Sequence, residues 1–189
     1  MPTASQVYAM LGDQSPWDVA QTCHAPLTHA GVPYAVVGGV AVCLRGYQRN
    51  TVDLDLLIRR EDQDAVRQRL TESGLTWSPE RAEFISPAGI PVPFHLAGER
   101  AGCGSEVRLP DPADAQTTDL CDGLPVLSLA KLIESKLACG QANVRRTHKD
   151  YAAVIELIAV HSLGRSFARH LHPSLRTVFR QLVEAARGT

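Results

Sequence analysis

The sequence predicts an α+β fold, a mixed β-sheet flanked by helices with a helical C-terminal part. Three observations predict it. Short apolar runs punctuated by glycine and proline fill the first two thirds of the chain, and one of them, Thr51–Ile58 (TVDLDLLI), alternates with the period of a strand. From Ser128 onward the apolar residues recur at helical spacing instead. With 189 residues, 44% of them hydrophobic, the chain can bury roughly 70% of the surface its unfolded form exposes and needs no disulfide or structural metal.

The elements follow in order. Weak helical patterns cover Ser5–Leu11 and Asp18–Ala30, the second disturbed by Pro26 and closed by Gly31. Pro33–Val37 reads as a buried strand stopped by Gly38-Gly39, and Val40–Gly46 suits a two-turn helix. In the strand Thr51–Ile58, Thr51, Asp53 and Asp55 share one face, and Val52, Leu54, Leu56 and Ile58 the other. Residues 61–73 form a surface helix, with acids in its first turn and Gly74 behind it. Short strands are expected near Leu75–Trp77, Glu83–Ser86 and Ile90–Leu96. Residues 97–123, rich in Gly, Pro and Asp, read as loop with one short strand, and divide a core (1–123) from a helical subdomain (124–189). The tail helices are Ser128–Cys139 with Gly140 as C-cap, Arg146–Val160, and Ser174–Ala186.

Composition narrows the function classes. The longest apolar run, Tyr34–Leu44, holds two glycines and falls well short of the roughly 20 residues of a membrane span. The opening MPTASQ has no basic stretch leading into an apolar one, so a cytoplasmic location is expected. Five cysteines, none in a C-x-x-C pair, argue against a zinc site or disulfide framework. Residues 1–140 carry 11 basic and 17 acidic side chains, whereas residues 141–189 carry 8 and 3. A basic C-terminal region suits an anionic partner, or a set of solvated helix faces.

The chemistry concentrates around Asp53 and Asp55. Residues i and i+2 of a strand lie roughly 6.6–6.8 Å apart and point the same way, so two carboxylates there repel unless a cation or base intervenes, and together they can hold Mg²⁺. Upstream, Gly38-Gly39 lets backbone N–H groups approach a phosphate at the start of a helix. Arg49, four residues before Asp53, can reach the same anion. Lys136 lies on the apolar stripe of its helix with Leu129, Leu132 and Ile133. A charge there must find a partner, either a bound triphosphate or an internal carboxylate such as Asp150.

The segment GGVAV followed by R-N-T-V-D-L-D-L-L-I resembles the signature of the nucleotidyltransferase superfamily, which shares the fold of DNA polymerase beta. G-G-x-A followed by R-x-T-x-D-x-D is most similar to AbiEii-type toxins and other small bacterial nucleotidyltransferases. LSLAKLIESKLACGQANVRRTHKDYAAVIELI, with a helix lysine and then R…K-D, is similar to the same group. The resemblance covers residues 33–160. It implies a nucleotidyltransferase-type fold and a metal-dependent enzyme that moves a nucleoside monophosphate from an NTP to an RNA (possibly tRNA) or protein acceptor, as a toxin of a toxin–antitoxin pair would. Asp53 and Asp55 would hold Mg²⁺ or Mn²⁺, and Gly38, Gly39, Arg49, Thr51 and Lys136 would bind the nucleotide. A cognate partner protein is the other partner it implies. An aminoglycoside- or lincosamide-type small-molecule nucleotidyltransferase is the alternative, and a catalytically degenerate binding module the third reading.

One departure stands out. The family supplies a third carboxylate from a later strand, where this chain reads Gly89-Ile-Pro-Val-Pro-Phe-His-Leu96. Alternation puts His95 on the polar face, where it can serve as general base or bond a backbone carbonyl. Glu83 and Glu99 are the nearby acids.

Overall fold

A computed structural model describes residues 15–187; the helix expected over Ser5–Leu11 lies outside them. The first helix, α1 (Pro16–His29), starts two residues earlier than the pattern suggests, because Ser15 and Asp18 cap each other's backbone N–H groups. Gly31, at φ +66°, turns the chain out of it. Then come β1 (Tyr34–Val36), α2 (Gly38–Leu44), β2 (Leu56–Ile58), α3 (Gln63–Glu72) and the hairpin of β3 (Thr76–Ser78) with β4 (Glu83–Ile85). β5 (Pro91–Leu96), a long loop, and the hairpin of β6 (Thr118–Cys121) with β7 (Leu124–Leu127) complete the sheet. The helical tail is α4 (Leu129–Ala142), α5 (Val144–Val160), two short 3₁₀ segments and α6 (Arg176–Arg187).

The seven strands form one mixed sheet in the order β3-β4-β5-β2-β1-β7-β6. β1 is antiparallel to β2 and parallel to β7, and β2 is parallel to β5. Every residue of β1 and β2 is buried, which requires cover on both sheet faces and explains the absence of alternation in these central strands. The aromatic side chains Trp77, Phe84 and Phe94 cluster over the β3–β5 side, with Arg67 stacked 4.5 Å over the Trp77 ring. No helix among the described residues is long and apolar enough to cross a membrane.

Three local expectations are corrected. The strand expected over Thr51–Ile58 pairs regularly only at Leu56–Ile58. Its neighbour β1 ends opposite Leu56, where Gly38 (φ +65°) turns the chain into α2, and Pro91 and Pro93 on the other side have no N–H to donate. Residues 51–55 are therefore held by single bonds, from Leu54 N–H to the Pro91 carbonyl and from Val37 N–H to the Asp55 carbonyl, and Val52 is 75% exposed instead of facing the core. The chain does not turn helical straight after residue 123, because β7 inserts between β1 and β6. Its signal is Asp122-Gly123, both at positive φ, a two-residue hairpin turn inside the Gly- and Asp-rich stretch; the expected division at 123/124 falls in that turn. Gly140 does not end its helix but sits inside α4, where a side chain would meet the Tyr151 ring of α5.

Candidate active site

The Gly38-Gly39 pair is dictated by crowding. A Cβ at Gly38 would overlap the Asp55 carboxylate, and one at Gly39 would overlap the Thr51 hydroxyl. Glycine at both positions lets the start of α2 nest against residues 51–55. Thr51, itself buried, donates its hydroxyl to Asp53 Oδ1 at 3.0 Å. The Arg49 guanidinium lies beside Gly39.

Asp55 faces β5. Leu57 pairs with His95 in the parallel β2–β5 register, so Asp55 and His95 project from the same face, and Nε2 of His95 donates to Asp55 Oδ1 at 3.0 Å. The bond leaves the imidazole lone pair on Nδ1. Burial pushes the Asp55 pKa up, but the His95 hydrogen bond and charge, the Lys136 charge and the Gly39 N–H outweigh it and leave the carboxyl below its ordinary value. The shift comes from these neighbours.

Gly38, Asp55, His95 and Lys136 line one cleft of about 150 Å³, with Arg100, Cys139 and Arg146 among its other walls. In the structure Lys136 has the internal carboxylate as its partner and also lines the cleft. Its ammonium donates to Asp150 Oδ1 at 3.2 Å, and the Arg146 Nε–H donates to the other oxygen, also at 3.2 Å. Asp150 is fully buried and Lys136 nearly so, so α4 and α5 are joined by a buried anion with two cations, both presented to the cleft.

The remaining expected residues are placed differently. Asp53 and Arg49 are not among the residues lining this cleft. Neither fallback acid substitutes for a third carboxylate: Glu83 pairs with Arg81 and Glu99 with Arg60, and neither lines the cleft. Lys149, the lysine of the R…K-D segment, joins the cations Arg49, Lys136 and Arg146. Partial burial lowers its pKa, the charges of Arg49, Lys136 and Arg146 lower it further, and only Asp53 opposes them. Arg49, Lys136, Arg146 and Lys149 thus lie within electrostatic reach of one another, with Asp53 opposing them at Lys149. Its sequence signal was the helical i,i+3 spacing of Arg146 and Lys149 just ahead of the buried Asp150.

The donor set fits a divalent cation held jointly with substrate. Among the described residues no group of three or more His, Cys, Asp or Glu is arranged to hold a metal alone. Mg²⁺ is commonly bound by one or two carboxylates and substrate phosphates while keeping waters. Asp53 and Asp55 each commit Oδ1 to a neighbour, and Asp55 Oδ2 occupies the space that a Gly38 side chain would fill.

A family model and several solved structures match the chain. The model of the aminoglycoside-2''-adenylyltransferase family matches residues 21–153, well over half the chain. No curated protein matches. A crystal structure of ANT(2'')-Ia in complex with adenylyl-2''-tobramycin is 18% identical, with a TM-score of 0.56 over 86% of this chain and 95% of that one. The solution structure of ANT(2'')-Ia gives 16% identity and 0.53 over 89% and 90%. A candidate nucleotidyltransferase from Thermotoga maritima gives 21% and 0.52 over 72% and 91%. At these identities the likeness establishes the fold.

Proposed function

The chain belongs to the aminoglycoside-2''-adenylyltransferase family and is a nucleotidyltransferase, and from that premise we propose that it transfers a nucleoside monophosphate, AMP in the first instance, to a hydroxyl of a small amine-bearing acceptor. The observation that carries this reading is the convergence of Gly38, Asp55, His95 and Lys136 on one cleft.

On this reading the Gly38 and Gly39 backbone and the cations Arg49, Lys136, Arg146 and Lys149 receive the triphosphate. Thr51 holds Asp53 in place through its hydroxyl. Asp53 and Asp55 would hold Mg²⁺ or Mn²⁺, which when bound neutralises phosphate charge and orients the phosphoryl group. Asp55 fixes the His95 tautomer, so that Nδ1 can accept the acceptor hydroxyl's proton as that oxygen attacks the α-phosphorus and pyrophosphate departs. The cleft holds the reacting centre only. At about 150 Å³ it is smaller than the roughly 300–1,000 Å³ of small-molecule sites, so the rest of the nucleotide lies along the open cationic rim.

A second reading, an AbiEii-type toxin acting on RNA or on a partner protein, is favoured by one observation, the excess of basic residues after residue 140. Mass spectrometry separates the two. Purified protein is incubated with ATP and Mg²⁺, together with an aminoglycoside panel that includes tobramycin, a lincosamide, or total RNA. Gain of one AMP by a small molecule supports the first reading. Label on RNA or on a protein, with none on any small molecule, replaces it by the second.

A further inference from the structure

Three cations line the cleft, Arg100, Lys136 and Arg146, and Arg100 differs from the other two. Lys136 and Arg146 share the buried Asp150 carboxylate. Arg100 has no carboxylate within ion-pair distance among the described residues. Its side chain makes one hydrogen bond among them, from Nη1 to the Ser105 carbonyl at 3.0 Å. A guanidinium carries five N–H donors in a planar fork, so four are left without a protein partner beside Asp55 and His95.

The chain aims this side chain into the cleft from the His95 wall. From the end of β5 the Ala97 N–H bonds the Ile58 carbonyl at 2.9 Å, and the loop then folds back so that Arg100 stands opposite Arg108 in an antiparallel bridge. Next to the bridge, the Ala101 N–H donates to the Val107 carbonyl at 2.9 Å, and the Ala101 carbonyl accepts the Cys139 thiol of α4. The two arginines of the bridge part ways. Arg108 Nη1 turns back to the Gly98 carbonyl at 2.6 Å and does not line the cleft, whereas Arg100 does.

We propose that Arg100 is a catalytic residue whose unpaired N–H groups bind a non-bridging oxygen of the α-phosphoryl group that is attacked beside His95. The inference rests on nucleotidyl transfer in this cleft, as read above, and on no particular acceptor. A cleft of about 150 Å³ holds the reacting centre alone, so a phosphoryl group that meets Asp55 and His95 meets Arg100 as well. In the transfer the acceptor oxygen bonds to the α-phosphorus and gives its proton to His95 Nδ1. The bond to the bridging oxygen breaks, and its electron pair leaves on pyrophosphate. Charge on the α-phosphoryl oxygens must be met throughout, and a guanidinium fork suits it by charge and by geometry. Lys136 and Arg146, shared with Asp150, have less charge to offer there.

The test compares wild type, Arg100→Gln and Arg108→Gln, using ATP, the two diastereomers of ATP that carry sulfur at the α-phosphorus, and the acceptor labelled in the assay above. In Arg100→Gln, kcat is expected to fall by about 10²–10³-fold, with the KM for ATP nearly unchanged. The ratio of rates for the two diastereomers should also shift, because only one of them replaces the oxygen that Arg100 binds. Arg108→Gln loosens the same loop from outside the cleft and should keep both kcat and the ratio. Wild-type kcat in Arg100→Gln, an unchanged ratio, or equal losses in Arg108→Gln overturn the role. Phosphorus NMR of ATP bound with Mg²⁺ reads the contact without turnover, and the α resonance alone is expected to differ between wild type and Arg100→Gln. That difference in a protein that labels no acceptor supports the contact and overturns the transfer reading. Identical spectra in an active enzyme overturn the contact and leave transfer intact, and identical spectra with no labelling overturn both.

Discussion

His95 Nε2 lies 3.0 Å from Asp55 Oδ1, on the neighbouring parallel strand. One carboxylate oxygen is thereby committed to an imidazole, and the other lies beside Gly38. If His95 is the general base, His95→Ala should lower kcat by about 10²–10⁴-fold while the KM for NTP moves by less than about threefold. His95→Asp, which restores an acid at this position, should retain activity in Mg²⁺. Steady-state kinetics check both. A His95→Ala enzyme with wild-type kcat removes the role.

The same bond predicts a stability signature. The folded-state pKa of Asp55 is below its ordinary value, so its ionised form stabilises the fold above the unfolded pKa of about 3.9. That contribution disappears as pH falls through the lower folded value. Without His95 the largest lowering partner is gone, with only the Lys136 charge and the Gly39 N–H left to oppose burial, so acid unfolding should begin at higher pH in His95→Ala. The gap between the two proteins should close as pH falls below the unfolded carboxylate value. Urea titrations at stepped pH measure it.

Asp53→Asn and Asp55→Asn should each abolish divalent-dependent nucleotide binding, with far-UV circular dichroism unchanged, since neither side chain belongs to the apolar core. Calorimetry with an NTP and Mg²⁺ reads this directly. Nucleotide affinity equal to wild type in both variants removes the metal assignment.

Gly38→Ala should be more damaging than its size suggests. The left-handed conformation costs an alanine roughly 1–2 kcal/mol, and the added methyl group must displace the Asp55 carboxylate. Loss of divalent-dependent nucleotide binding in a folded variant is the expected result. Gly74→Ala, at φ +90° with open space around it, serves as control and should cost stability alone.

Asp150→Asn strands the buried Lys136 ammonium and removes the Arg146 partner. Breaking such a pair from one side costs about 3–5 kcal/mol, which for a chain of this length lowers Tm by roughly 10 °C. Lys136→Met leaves Asp150 with Arg146 alone, so it too should destabilise, in addition to weakening NTP binding. Differential scanning calorimetry of both variants decides.

The parts of the site legible in the sequence were those written in local spacing. Gly-Gly before a helix, D-x-D in TVDLDLLI, and the alternation that aims His95 away from Phe94 all concern residues whose positions follow from backbone period. What stayed hidden depends on distant partners. Lys136 had two chemically acceptable counterions, and only the α4–α5 packing brings the internal one, Asp150, against it. The place of Lys149 depends on Arg49, about 100 positions earlier, whose charge reaches it only in the fold. Strand β7 was missed because four residues carry almost no period, and its Asp-Gly turn was submerged in a stretch of similar composition.

The far end of α2 deserves a mechanical reading. Arg45, just past that helix, bonds the Val126 and Leu127 carbonyls of β7 and the Asp119 carboxylate of β6, and its own carbonyl is bonded by His161 at the end of α5. The seven-residue helix is thus bolted to the sheet at one end and carries the glycine turn at the other. On the proposed reading, a triphosphate would meet a turn with no slack with which to recoil. Whatever travel the enzyme needs to admit one substrate and release another falls to the opposite wall, residues 97–109, which outside its one isolated bridge has no strand or helix to stiffen it.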